Sequence, residues 1–444
     1  MNTENTTTTH EGGKAYIPSK KEQLEGSVMN CMLWEDGFYE SGEKIADRIF
    51  RLTKEVSIEE AVEVIRKAKF ESKLRKVPLF MLVALAEKGT LTKELVNEIC
   101  TRVDDMTNLL SMYFNVDSKK PMSIALKKGL ALSFKKFNEY QLAKYNRSGQ
   151  FKLKDVIMLC HPKPDTKEQS ELFKKVLENK LEVPYTWETE LSAGKDKKET
   201  FEKLISEKKL GDLAFLRNLR LMKANGVSSR VISDSSKERI WKNILPFQFV
   251  TANRNTGNEF REELEEAMFK CLEDSDKFGS NVNLLVDMSS SMLEPLSRES
   301  EVKRAYVASG LAILCKEKFS NTKIYGFTKD LKEDINQNLR GFALSEYLIN
   351  NTRGSTKMWN AIREVGKKGH SKVTIVITDE ETRDTGVFED ANSDFLFIIN
   401  VATSAKTLCE HPKFVKINGW SESVIDYIVK HASFYSFIQE EMEI

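Results

Sequence analysis

The sequence predicts two architectures in one 444-residue chain, an all-α helical array followed by a doubly wound α/β domain. Three observations carry this. From about residue 43 to 275 the apolar residues recur at helical spacing, and no stretch reads convincingly as a strand. After "EDSDKFGS" the pattern changes to short β-branched or aromatic runs separated by helical stretches, the signature of a mostly parallel sheet covered on both faces. Two of those runs end in an aspartate, Asp287 and Asp379, and ligands of such sheets bind at the carboxyl ends of strands.

The length supports two or three hydrophobic cores. A hydrophobic content of 40% and a charged content of 30% are those of a soluble globular protein. The net charge of +1 conceals a small asymmetry. Residues 281–444 carry 20 Lys and Arg against 23 Asp and Glu, whereas the preceding part carries 48 against 44. That split suits an anionic partner for the first part and a cation for the second. Six scattered cysteines, without a CxxC pair or zinc-like spacing, read as reduced and mostly buried thiols in a cytoplasmic protein. The polar start "MNTENTTTTHEGG" reads as a flexible lead-in rather than a signal peptide. No apolar run approaches the roughly 18 residues of a membrane span.

Within the helical part, "SIEEAVEVIRKAKF" sets Ser57 three residues before Glu60, the spacing of a capping box. "VPLFMLVALAEKG" has Pro78 near its start and Gly89 at its end. Further helices are expected in "PMSIALKKGLALSFKKFNEYQLAKY", "TFEKLISEKKL", "DLAFLRNLRLMKANGV" and "EFREELEEAMFKCLE". Helices joined by short polar loops over this length suggest an α-solenoid or another multi-helix array, although no repeat of fixed length is visible. Strands are expected at 281–287, 322–327, 372–379 and 394–400.

In "LLVDMSSSM" (284–292) the role of Asp287 has four readings. A phosphoryl-accepting aspartate requires a second carboxylate two residues on, where this chain has Ser289. A nucleophilic serine requires a glycine-flanked turn and a histidine, and His370, His411 and His431 have no triad-like context. The third reading is a ligand to a hard divalent cation such as Mg²⁺, with hydroxyls from Ser289 and Ser291 and further oxygens from Thr356 and Asp379. The fourth is that Asp287 and its serines cap the following helix.

Between Lys119 and Lys163 stand 11 Lys and Arg against Glu139 and Asp155 alone, with Tyr140, Tyr145, Phe151 and His161 interleaved. Lysines and arginines neutralise phosphates and aromatics stack on unpaired bases, so the stretch suits RNA. It equally suits the solvated face of amphipathic helices whose core is Leu126, Leu130, Phe134 and Phe137. Arg217 and Arg220 lie in an apolar helix and are read as structural, as are Trp187 and Trp241.

Two resemblances follow from these motifs. Residues 281–433 resemble a von Willebrand factor A domain, with the D-M-S-S-S loop, a Gly-Ser-Thr loop, a T-D-x-E strand end and a late "INGWSESVIDYI". The resemblance implies a metal-ion-dependent adhesion site at Asp287, Ser289, Ser291, Thr356 and Asp379, with the sixth position open to water or a partner's acidic oxygen. Gly354-Ser355-Thr356 departs from the common Gly-Gly-Thr, and Glu380 stands where Gly or Asn is common, so Glu380 is expected to crowd the ion or add charge.

"RKVPLFMLVALA", "LALSFKKFNEYQLAKYNRSGQFKLKDVIMLCHPKP", "VPYTWETELSAG", "LAFLRNLRLMKANGV" and "ILPFQFVTANRNT" resemble, in this order, the signature segments of the TROVE module. TROVE followed by a von Willebrand A domain is the layout of the Ro autoantigen and its bacterial and phage relatives. The resemblance implies a flexible N-terminus over 1–18, a HEAT-like helical ring over 19–280 and the A domain over 281–444. It implies binding of small noncoding, Y-like RNA and of single-stranded ends of misfolded RNA, in RNA quality control or processing. Lys144 and His161 match the family's RNA-contacting positions, with Arg147 nearby; His161 also suits packing or capping. Lys135, Lys136, Lys152, Lys154 and Lys163 are expected phosphate contacts. The expected protein is a cytoplasmic, non-enzymatic monomer holding Mg²⁺ or another divalent cation, with a nuclease or RNA-repair factor docked at the ion. The rival reading is a metal-dependent interaction module that recruits an acidic partner, with RNA incidental. A metal-dependent hydrolase is a third, with Glu380 and Glu381 the only nearby bases.

Overall fold

A computed structural model of the chain describes residues 6–8, 12, 14–29, 42–116, 121–146, 149–241, 244–273, 278–297, 300–402, 406–420, 424–425, 427–429 and 432. Near the start, β1 (Thr6–Thr8) pairs antiparallel with β2 (Lys14–Tyr16), and α1 (Lys20–Val28) follows behind a Ser19 capping box. These residues belong to a compact unit completed by residues 194–444; residues 42–193 form a second unit.

Among the described residues, the regular elements of the 42–193 unit are all helices. Its elements are α2 (Gly42–Glu55), α3 (Ile58–Arg66), a π turn (Lys67–Glu71), α4 (Lys76–Lys88), α5 (Lys93–Ile99) and α6 (Val103–Val116). They continue with α7 (Ile124–Phe134), α8 (Glu139–Tyr145), α9 (Leu153–Cys160), α10 (Lys167–Leu177) and α11 (Trp187–Ser192). Local chemistry sets the helix ends as the spacing predicts. Ser57 accepts from the Glu60 amide at 3.2 Å while the Glu60 carboxylate accepts from the Ser57 amide at 3.0 Å. Gly89 ends α4 in the left-handed region at φ +78°, which glycine adopts without a Cβ penalty. Every residue of α4 from Val77 to Leu85 is buried, so this helix lies inside the unit. The apolar residues of the basic stretch, Leu126, Leu130, Phe134 and Phe137, are core residues.

The chain continues through α12 (Lys197–Ser206), α13 (Asp212–Ala224), α14 (Ser229–Glu238), α15 (Pro246–Asn255) and α16 (Arg261–Glu273). Trp241 is buried between Phe215 and Phe249, and its indole donates to the Ser236 carbonyl at 2.9 Å. On α13, Phe215, Leu216 and Leu219 are buried while Arg217 and Arg220 lie on the exposed side.

From Phe278 the chain builds a six-stranded sheet from β3 (Phe278–Asp287), β4 (Phe319–Phe327), β5 (Leu331–Lys332), β6 (Ser371–Thr378), β7 (Ser393–Asn400) and β8 (Phe414–Asn418). The order is β5-β4-β3-β6-β7-β8, parallel except for the β4–β5 edge pair. The four expected strands are present with small extensions, and β5 and β8 are additional. The helices are α17 (Arg304–Lys318), α18 (Gly341–Asn350) and α19 (Met358–Gly366). The first strand lies between β4 and β6, so connections leave it in opposite directions and a crevice opens at the carboxyl ends of β3 and β6.

Helix α17 is buried over most of its length and packs against both the sheet and α15. Their close approach needs Gly310, where an added Cβ would stand 2.7 Å from the Phe247 backbone nitrogen. Cys100, Cys160, Cys315 and Cys409 are buried thiols outside any disulfide. Gly310→Ala is predicted to destabilise the 194–444 unit by about 1–3 kcal/mol, because backbone cannot move aside as a side-chain tip can. A lowered thermal midpoint checks this, and an unchanged midpoint would mean the α15–α17 contact is loose.

Candidate metal centre and nucleic-acid interface

At the carboxyl ends of β3 and β6, three loops converge. Asp287 ends β3 and is 2% exposed; the pairing of Val286 with Ile377 sets it beside Thr378, whose hydroxyl donates to Asp287 Oδ2 at 2.7 Å. Asp287 Oδ1 accepts from the Ser289 amide at 2.8 Å, which fixes the turn into the serines. The Ser289 and Ser291 hydroxyls stand 3.1 Å apart. Ser290 points elsewhere, and its hydroxyl accepts from the Gly354 amide at 2.8 Å while its own amide donates to the Gly354 carbonyl at 2.9 Å. The Arg353 amide donates to the Met288 carbonyl at 2.7 Å, which ties the second loop to the first. The Arg383 amide donates to the Thr356 carbonyl at 3.3 Å and the Met358 amide to the Thr382 hydroxyl at 3.0 Å, which tie the second loop to the third.

Thr356 and Asp379 are 3% and 1% exposed, so the five oxygen-bearing residues expected at this place sit on three mutually bonded loops. Burial, and then the charge of Asp379, push the Asp287 carboxyl up to about 7. Two carboxylates and three hydroxyls are hard oxygen donors, the set a small divalent cation takes. No cluster of three or more His, Cys, Asp or Glu side chains suited to a metal occurs among the described residues. Carboxylates and hydroxyls, without thiolate or imidazole, make a donor set that fits an oxygen-seeking ion rather than a zinc-like one.

Two features were not legible beforehand. Arg304, at the first position of α17, donates to Asp379 Oδ2 at 2.8 Å in a fully buried ion pair. Its partner lies 75 residues away in sequence, so no local pattern announces it. Of the two expectations for Glu380, its charge is felt beside Asp379, while its side chain does not crowd the loops. Its backbone is left-handed at φ +60°, and its carboxylate is bonded to Asn400 Nδ2 and the Lys416 ammonium on the β7–β8 side. The left-handed backbone is a physical reason for Gly or Asn to be common there.

In the 42–193 unit the basic stretch divides into committed and uncommitted charges. The exposed Lys136 donates from its ammonium to the Asn97 and Cys100 carbonyls at the end of α5, so it acts as a helix cap. Lys135 pairs with Asp165 at 2.7 Å. Phe151 stacks on Phe114, a packing role. Lys152, Lys154 and Lys163 are exposed and form no ion pair among the described residues. His161 has its backbone at φ +49° closing α9 and its side chain exposed, so capping and an outward ring coexist. Lys154, Met158 and His161 follow at helical spacing, and all three are exposed, Met158 at 62%. Lys144 is half-buried on α8 with its ammonium over the Tyr145 ring, on which Arg102 also lies at 4.7 Å. Tyr140 is 52% exposed. Arg147 lies outside the described residues.

Comparison with known proteins adds the following. The TROVE domain model matches residues 178–306, from the end of α10 into the first turn of α17. The fold of the chain is that of the Ro (RSR) protein of Deinococcus radiodurans, whose crystal structure superposes with a TM-score of 0.60 at 14% identity, covering 93% of this chain and 99% of that one. A search of curated proteins finds no match. Among the described residues no helix is long and apolar enough to cross a membrane.

Lys416 neutralises a carboxylate that is 3% exposed. Lys416→Ala is therefore predicted to lower stability by about 3 kcal/mol, since it leaves a buried charge without its partner. Replacing both groups, Glu380→Gln with Lys416→Met, should recover most of that loss in urea unfolding; equal losses for the single and double variants would show the pair is not coupled.

Proposed function

We propose that the protein is an RNA-binding, non-enzymatic Ro-like adaptor. Its helical part holds small structured RNA and single-stranded RNA ends. Its sheet domain carries Mg²⁺ or a similar ion through Asp287, Ser289, Ser291, Thr356 and Asp379, and docks a protein partner through an acidic oxygen. The observation that carries the RNA reading is the exposed stripe of Lys154, Met158 and His161 along and at the end of α9, flanked by exposed Lys152 and Lys163. Cations that form no ion pair among the described residues, interleaved with exposed apolar and aromatic side chains, suit phosphates and unpaired bases together. The TROVE match and the fold shared with a Ro protein support the same reading. RNA quality control, with a nuclease or repair factor at the ion, is the role this combination suits.

The second reading, a metal-dependent interaction module for which RNA is incidental, draws on the hydroxyl-rich carboxylate cluster alone. Nuclease-sensitive absorbance at 260 nm in the purified protein favours the first, and a stoichiometric protein lost on chelation favours the second.

Lys144→Ala combined with His161→Asn is predicted to weaken binding to a small stem-loop RNA by about tenfold or more and to flatten its salt dependence. Asparagine is chosen because it tolerates the left-handed backbone at position 161, so the thermal midpoint should stay close to that of the wild type. Unaltered affinity in a filter-binding assay would sink the assignment. Mg²⁺ at a hundredfold excess over its dissociation constant is predicted to stabilise the protein by about 2.7 kcal/mol. That gain should vanish in Asp287→Asn; a gain retained by the variant would place the ion elsewhere.

A further inference from the structure

The Arg304 side chain is 3% exposed and that of Asp379 is fully buried, and both Asp379 oxygens are engaged. Oδ2 accepts from the Arg304 guanidinium at 2.8 Å and Oδ1 from the Glu381 amide at 3.2 Å. Asp287 differs, because its oxygens accept from uncharged donors, the Thr378 hydroxyl and the Ser289 amide. Of the two carboxylates, Asp379 is the one that meets a fixed positive charge among the described residues.

We propose that Arg304 is the internal competitor of the metal ion, a residue that sets the affinity of the site by holding Asp379 when no ion is present. This rests on the proposed cation site and adds to it a reason for weak, conditional occupancy. A divalent ion drawing on Asp379 must share a carboxylate with a guanidinium or displace it, and the two cations repel across a poorly solvated gap. The position of Arg304 fits this role. It opens α17, so its backbone is fixed by a helix buried against the sheet while its side chain reaches the loop after β6. Metal binding then becomes coupled to the start of α17, the segment that follows the first ligand loop.

The test uses the full chain with Mn²⁺ as the probe, free ion being read by electron paramagnetic resonance. Arg304→Gln is expected to bind Mn²⁺ at least about tenfold more tightly than the wild type, since a like charge has been removed from beside the ion. Arg304→Lys, which keeps the charge, should stay close to the wild type. If Arg304→Gln folds only when Mn²⁺ is supplied, the ion is replacing the lost guanidinium, as proposed. In the wild type, the Arg304 Nε–H resonance, assigned through Arg304→Lys, is expected to shift on saturation with diamagnetic Mg²⁺.

Wild type and Arg304→Gln binding Mn²⁺ equally would overturn the competition and leave the cation site standing. A stationary Arg304 resonance in Mg²⁺-saturated protein would do the same. No Mn²⁺ bound by either protein at millimolar concentration would remove the cation site and the competition together.

Discussion

Two carboxylates buried within each other's field destabilise a fold unless positive charge or hydrogen-bond donors accompany them, and this constraint organises the 194–444 unit. The parallel pairing of β3 with β6 brings Asp287 and Asp379 together, and burial, followed by the charge of Asp379, raises the proton affinity of Asp287. The surroundings answer with donors, namely the Thr378 hydroxyl, the Ser289 and Glu381 amides and the Arg304 guanidinium. The loops that supply them are stitched to one another by backbone hydrogen bonds, so the arrangement is set before any ligand arrives. Glu380, one of the two nearby carboxylates that could act as a base, is turned to Lys416 and Asn400 instead.

The helical unit obeys a different rule. Its lysines gain most where they close helix ends or meet carboxylates, and Lys136 and Lys135 do so. Among the described residues between Lys119 and Lys163, the exposed lysines outside such bonds are Lys127 and Lys128 on α7 and Lys152, Lys154 and Lys163 on α9 and the loops flanking it. Composition counts eleven cations between Lys119 and Lys163 without distinguishing these two populations. Only packing does.

Much of the fold was legible because periodicity and caps are local. The Ser57 capping box, the left-handed Gly89 and the four main strands follow from spacing and residue type over a few positions. The carboxyl ends of β3 and β6 could be singled out because an aspartate after an apolar run is visible in sequence. Contacts between distant segments were not legible. The β5 and β8 edges are short or interrupted by Lys416, the Arg304–Asp379 pair spans 75 residues, and the Glu380 side chain is aimed by a backbone angle that its residue type disfavours. The helix-to-strand change falls at Phe278, whereas the boundary between compact units falls at 193/194, because α15 and α16 pack on α17 and α18.

Whether a cation completes the buried carboxylate pair is decided most directly by anomalous diffraction from crystals of the full chain soaked in Mn²⁺. The expected result is a manganese peak bounded by the oxygens of Asp287, Ser289, Ser291, Thr356 and Asp379. Density showing the Arg304 guanidinium still on Asp379, with no manganese beside those oxygens at saturating concentration, would contradict it and leave the pair as an internal salt bridge.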